Sequence, residues 1–141
     1  MIRKGAAIWR GGLKDGKGTL STESGVLEEA AYSFGTRFEN AKGTNPEELI
    51  AAAHAACFSM ALSAQLGEAG MTPESVRTTA SVTLEKTDAG FTVTKSHLTT
   101  TVRIPGADRA KFDAAAAAAK AGCPISRLLN AAITMEATLE A

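Results

Sequence analysis

The sequence predicts an α+β fold of order βββ-α-ββ-α-α-β, on three observations. Residues 46–69 read as one long apolar helix with marked ends, and residues 76–86, 91–104 and 132–139 carry the alternation or apolar runs of strands. Strands and helices come in blocks, without the βαβα succession that builds a doubly wound sheet. With 141 residues, 45% apolar and 21% charged, the chain is expected to fold as one soluble domain spanning 1–141.

Each element has a local reason. Lys4 to Arg10 and Thr19 to Thr22 are short β segments separated by Gly11, Gly12, Gly16 and Gly18, which predicts a hairpin. A third strand is expected near 31–35, around Tyr32 and Phe34, before the linker TRFENAKGTNP. Asn45 is then a helix cap, Pro46 suits the first helical position, and Glu48 is placed to complete a capping box. Gly70 and Pro73 stop the helix after about 36 Å, at 1.5 Å per residue. Val76, Thr78, Ala80, Val82 and Leu84 share one face of the next strand, and Thr87-Asp88-Ala89-Gly90 turns the chain back. In the returning strand the apolar register changes from Phe91 and Val93 to Leu98, Val102 and Ile104, which predicts a bulge or bend near 95–97. Asp108 caps an Ala-rich helix that Gly122 stops, and Cys123 caps a short helix begun by Pro124. The chain closes on a strand with Ile133, Met135, Ala137 and Leu139 inward.

Composition narrows the partners. Fifteen basic and fifteen acidic residues cancel, and no Lys/Arg cluster supplies the footprint of a nucleic-acid or anionic-membrane binder. The apolar run in MIRKGAAIWRGG is too short for a signal peptide, and His54 with scattered serines argues against a membrane span, so a cytoplasmic protein is expected. Two cysteines are too few for a disulfide scaffold and stand as candidates for redox chemistry, metal binding or inert core. From Leu49 to Leu66 the only polar side chains are His54, Ser59, Ser63 and Gln65. A helix apolar nearly all round needs cover on every side, which the short remaining elements of one chain cannot supply, so an intimate homodimer with central long helices is expected.

Cys57 lies in the middle of that helix and Cys123 at a helix start, where unpaired N–H groups favour a thiolate. A reactive Cys57 therefore needs a cation, and Arg37 is better suited than Lys42 because it stays charged when desolvated and can hold a carboxylate while donating to sulfur. Glu47 is placed to orient it, but ten helical residues, about 15 Å, separate Glu47 from Cys57 along the same helix. Two antiparallel helices crossing near Ala52 would bring Glu47 of one chain beside Cys57 of the other. The competing reading makes Glu47 and Glu48 simple complements of the helix dipole. His54 invites pairing with Cys57 or a role as a core histidine, and His54, Cys57, His97 and Cys123 would be the only four-ligand metal set, without the short spacings that mark zinc sites. No glycine fingerprint for phosphate precedes a helix.

The segments TRFENAKGTNPEELIAAAHAACFSMALS, STESGVLEEAAY and KAGCPISRLLNA strongly resemble the OsmC/Ohr family, in its osmotically inducible OsmC branch, over essentially the whole chain. The resemblance implies an intertwined homodimer whose antiparallel sheets wrap two long helices, and a thiol-dependent peroxidase acting on organic hydroperoxides in oxidative or osmotic stress defence. It assigns Cys57 as the peroxidatic and Cys123 as the resolving cysteine, Arg37 as the activating arginine and Glu47 as its orienting carboxylate. Ohr proteins place that arginine in an earlier loop. The implied cycle runs through a Cys57 sulfenic acid and a Cys57–Cys123 disulfide reopened by an external dithiol, with no bound cofactor. The apolar residues Phe58, Met60 and Leu62 suit an alkyl or aryl substrate. A redox switch or stress-protective binding protein would use the same disulfide without turnover, and a structural metalloprotein would carry stoichiometric zinc.

Overall fold

The computed structural model describes residues 1–141. In order it contains β1 (Gly5–Arg10), β2 (Lys17–Thr22), β3 (Ala30–Tyr32), α1 (Phe34–Phe38), α2 (Pro46–Glu68), β4 (Ser75–Thr87), β5 (Gly90–Arg103), α3 (Arg109–Gly122), α4 (Pro124–Leu128) and β6 (Ala132–Glu140). The chain divides into two compact units, residues 1–49 and 50–141, with the boundary one turn into α2. The α+β class and the order of strands are as the sequence predicts, with one added helix, α1.

The first unit is built on an antiparallel sheet of order β1-β2-β3. Trp9, Gly18 and Tyr32 stand side by side across its three strands, and the two rings meet at 5.4 Å between centroids. A Cβ on Gly18 would lie 2.5 Å from Tyr32 and 2.7 Å from Trp9, so the rings close over a position that only glycine can fill. All of β1 is exposed, Ile8 among it.

The third strand ends at Tyr32 because Ser33 caps α1, which occupies the start of the segment expected to be a linker. The Ser33 hydroxyl accepts from the Thr36 N–H at 3.3 Å, and the Ser33 N–H donates to the Thr36 hydroxyl at 2.8 Å, a reciprocal box built with threonine. Asn45 then links the two helices: its side-chain amide donates to the Thr36 carbonyl at 3.2 Å and accepts from the Glu48 N–H at 2.8 Å. The expected second half of a capping box at α2 is absent. The Glu48 carboxylate instead accepts from the Thr44 hydroxyl at 2.8 Å.

In the second unit the buried residues of α2, His54, Phe58, Leu62 and Leu66, recur every four residues and so form a single stripe. Phe58, Leu62 and Leu66 join Leu98 and Val102 of β5 and Phe112, Ala115, Ala116 and Ala119 of α3 in one core. Each of the three, fully withdrawn from water, contributes roughly 1.5–3 kcal/mol. The helix stops through a paired carbonyl cap: the Met71 N–H donates to Leu66 O at 2.8 Å and the Gly70 N–H to Gly67 O at 3.0 Å, with Gly70 at φ 79°. By length and composition alone, at a mean hydropathy of 1.5, α2 could cross a membrane. Its His54–Leu66 stripe is instead buried within the protein, whereas Ala52, Ala53, Ala56, Met60, Ala64 and Gly67 face outward.

The second sheet has the order β4-β5-β6. Its β4–β5 hairpin is antiparallel and slips register between Thr83 and Leu84, which leaves Thr94 as the extra residue of a bulge just before the predicted position. The last strand runs parallel to β5, so this sheet is mixed and not antiparallel as expected. The crossover that makes it parallel is α3 and α4, which return the chain before β6 begins.

His54 is the polar knot of this unit. It has no exposed surface, and its Nδ1 and Nε2 each lie 2.7 Å from a serine hydroxyl, Ser96 on β5 and Ser126 on α4. Burial pushes its imidazole below the ordinary histidine value. Protons then bind the unfolded chain before the folded one, so stability is full above the unfolded value and falls as pH drops through it. We expect thermal stability to decline below about pH 6.5, by up to about 1.4 kcal/mol per unit. Thermal melts of wild type and His54→Gln across pH 5–8 check this, and equal pH slopes for the two proteins would contradict it.

Candidate active site

The structure assembles the four residues singled out from the sequence into two pairs, each within its own unit. In the first unit, α1 presents Arg37 and the first turn of α2 presents Glu47. Arg37 Nε donates to Glu47 Oε1 at 3.0 Å and to Oε2 at 3.2 Å, and Nη2 donates to Oε1 at 2.7 Å. The guanidinium also lies 5.3 Å over the Phe38 ring. One edge of the fork is thus held by the carboxylate, while Nη1 is left to donate elsewhere. The Glu47 side chain is 12% exposed and that of Arg37 38%, so the carboxylate is set into the unit and the guanidinium reaches outward.

Around Arg37 lies a groove of about 260 Å³ whose wall is mostly ring and aliphatic carbon: Trp9, Leu13, Tyr32, Phe34 and Phe38. Phe34 and Phe38 stand one helical turn apart on α1 with centroids 4.9 Å apart. Sequence reasoning missed this groove. The signal available was the i, i+4 aromatic pair in FGTRF, which acquires meaning once the segment is helical.

In the second unit α2 supplies Cys57 and the start of α4 supplies Cys123, with the two sulfurs 2.9 Å apart. Both thiols are free, at a separation well beyond the roughly 2.05 Å of a disulfide bond. Cys123 has no exposed surface, and Cys57 is half-buried. Cys123 is the residue from which α4 starts, with Pro124 in its first turn. Burial works to raise the Cys123 thiol, but hydrogen bonds with Cys57, with the N–H and hydroxyl of Ser126 and with the N–H of Ile125 outweigh it and bring it below its ordinary value. For Cys57, burial raises the thiol, the hydrogen bond and negative charge of Cys123 add to that, and the Ile125 N–H offsets only part. No cation is among the groups that set the titration of Cys57.

His54, three residues before Cys57, pairs with two serines and not with the cysteine, and His97 pairs with the Thr134 hydroxyl at 2.5 Å. No three His, Cys, Asp or Glu side chains gather as a metal-binding group. Phe58 and Leu62 belong to the core against which Cys57 packs, and Met60 is 77% exposed.

The model of the family described as OsmC-like protein matches residues 39–138, beginning just after Arg37. The chain is 60% identical over 138 residues to the peroxiredoxin OsmC of Escherichia coli K12, covering 98% of this chain and 96% of that one. It is 30% identical over 124 residues to the organic hydroperoxide resistance protein OhrB of Bacillus subtilis, covering 87% and 89%. The crystal structure of that OhrB superposes with a TM-score of 0.67 at 27% identity, over 97% of this chain and 98% of the other. With the family model matched over most of its length and an OsmC peroxiredoxin at twice the identity of an Ohr protein, this chain belongs to the OsmC/Ohr family and to its OsmC branch.

Proposed function

We propose that this chain is a thiol-dependent peroxidase that reduces organic hydroperoxides to alcohols, working as one domain over residues 1–141. The observation that carries the reading is the 2.9 Å approach of two free sulfurs, one of them at a helix start. Inert core cysteines have no need of a partner thiol. The family names agree: a peroxiredoxin in one relative, organic hydroperoxide resistance in another.

The chemistry follows from the pair. The Cys57 thiolate attacks the nearer oxygen of ROOH, the O–O bond breaks, and the alkoxide leaves and takes up a proton as the alcohol. Cys57 is left as a sulfenic acid. The Cys123 thiolate then attacks that sulfur, forming the disulfide and expelling hydroxide. An external dithiol restores both thiols by exchange, and no prosthetic group takes part. A reducing cytoplasm is the compartment that keeps such a pair ready.

Cys57 is the harder thiol of the two to ionise, so its activation calls for a cation from outside its own unit's contributors. Arg37 has an uncommitted Nη1 edge, and the outward face of α2 is small and apolar at Ala52, Ala53 and Ala56. Both observations favour a homodimer in which the α2 helices cross antiparallel near Ala52, which sets the partner's Arg37 and the partner's Glu47 beside Cys57. The carboxylate then fixes the guanidinium edge, and Nη1 serves the thiolate and the developing charge on oxygen. The aromatic groove at Arg37 would receive the organic group, which favours alkyl and aryl hydroperoxides over hydrogen peroxide.

One equivalent of an organic hydroperoxide added anaerobically to the reduced protein is expected to consume both thiols and remove two hydrogens per chain by intact mass. Unchanged thiols would overturn the peroxidase reading. Cys57→Ser is expected to abolish turnover, and Cys123→Ser to leave the first oxidation but drive Cys57 on to sulfinic acid under excess peroxide. Glu47→Gln, which keeps the shape but loosens the guanidinium, should lower kcat/KM by about tenfold to a hundredfold through lost orientation of Arg37. Sedimentation should give a dimer, and a stable monomer would remove the shared site.

A further inference from the structure

The approach of Cys123 to Cys57 is made at the start of a helix too short to hold itself in place. With five residues, α4 has no stability of its own in water, so its position must come from its neighbours. Apolar packing does little of this: Leu128 is 72% exposed, and Ile125 is half-buried against the core. Ser126 is the one residue of α4 that is buried. A serine offers little apolar area, and its hydroxyl is engaged in a directional contact instead, with His54 Nε2 2.7 Å from Ser126 Oγ. The other ring nitrogen, Nδ1, lies 2.7 Å from Ser96 Oγ on β5. Ser96, His54 and Ser126 thus form a buried polar row that joins β5, α2 and α4.

The row and the thiol pair share the same two helices. His54 and Cys57 are three residues apart on α2, and Cys123 and Ser126 are three residues apart at the start of α4. Two contacts join them in opposite chain order, His54 to Ser126 and Cys57 to Cys123. The sulfur contact alone would leave α4 free to pivot on α2, whereas two contacts about a turn apart fix both its distance and its rotation. Held so, the sulfurs need to approach by only about 0.9 Å to bond. We propose that the His54–Ser126 hydrogen bond is a clamp on the start of α4, which makes His54 and Ser126 positioning residues that keep Cys123 within reach of Cys57. The inference rests on the reading of Cys123 as the resolving thiol. In the step it serves, the Cys123 thiolate forms the S–S bond, the S–O bond of the Cys57 sulfenic acid breaks, and the oxygen leaves with its electron pair as hydroxide. A sulfenic acid that does not meet Cys123 is exposed to a second peroxide, so the clamp favours the reversible product over the sulfinic acid.

The test uses the full chain with both cysteines and without peroxide. Protein is equilibrated at neutral pH with reduced and oxidised glutathione in known ratios, and the intramolecular disulfide is read by intact mass after acid quenching. Protein dithiol and oxidised glutathione give protein disulfide and two reduced glutathiones, so the equilibrium measures the effective concentration of Cys123 at Cys57. Ser126→Ala should lower it by about tenfold, which raises the potential of the couple by about 30 mV. Ser126→Thr, which keeps the hydroxyl, should retain most of the wild-type value. His54→Leu should cause the same loss as Ser126→Ala, and the double variant no further loss, because both remove one contact. Ser96→Ala takes a hydrogen bond from the same imidazole but none from α4, and should leave the equilibrium where it is. An unmoved equilibrium in Ser126→Ala overturns the proposal, as do equal losses in Ser96→Ala and Ser126→Ala, which would make the row a matter of general stability. Additive losses in the double variant overturn the hydrogen bond as the agent. Ser126→Ala with its Ser96→Ala control remains decisive should His54→Leu fail to fold. Because no peroxide is present, these equilibria stand or fall separately from the hydroperoxide titration that tests the peroxidase reading.

Discussion

The rest of the structure depends on one constraint, an α2 helix that has almost no polar surface to offer water. Its second unit answers with a stripe at four-residue spacing, His54, Phe58, Leu62 and Leu66, sunk into a core shared with β5 and α3. Cys57 sits beside that stripe and not within it, and this decides its character. A residue of the stripe would be sealed like Phe58, and one on the far side would stand in the open like Met60. Cys57, half-buried, packs against that core, and its sulfur lies 2.9 Å from that of Cys123. The same packing that buries one stripe of α2 leaves a thiol half-exposed at its border.

That placement also sets the order in which the two thiols ionise. A cysteine in mid-helix finds its own helix's N–H groups already committed, so burial acts on it almost unopposed. A cysteine at a helix start receives the N–H groups that the helix cannot use, and Ser126 adds a hydroxyl. Cys123 is therefore tuned by neutral dipoles from its own fold, whereas Cys57 has no cation among the groups that set its titration. Arg37 is suited to be that charge because Glu47 engages Nε and Nη2 and leaves Nη1 uncommitted. An enzyme built this way is active only when the cation is delivered, which links chemistry to assembly and makes the dimer part of the mechanism under the reading proposed above.

How much of this was legible in the sequence differs from element to element, for physical reasons. The limits of α2 were readable because Asn45, Pro46 and Gly70 act locally, through caps that need no tertiary partner. The bulge of β5 was readable because the pleat has a period of two, so a change of apolar face must cost a residue, and Thr94 is that residue. The direction of β6 was not readable, since alternation is the same in a parallel and an antiparallel strand. Nor was α1, five residues capped by a serine and a threonine where the usual signature asks for a carboxylate or amide. In the site, Arg37 and Glu47 could be paired by type and charge, but nothing local brings Cys57 and Cys123 together across 66 residues. Their contact comes from α3 and α4 folding back before β6, a consequence of topology.

The buried serines and His54 show the same division between local and tertiary information. A histidine in an apolar helix reads as core, and that reading is correct as far as burial goes. Its partners Ser96 and Ser126 carry no local sign, one within a strand and the other two residues into a five-residue helix. Yet leaving any of these groups unpaired in the interior would cost roughly 1–3 kcal/mol, so the three can persist only as a satisfied set. An aliphatic residue at position 54 would fill the core without that requirement. The polar row is therefore more than packing needs, and it ties β5, α2 and α4 to one another through His54.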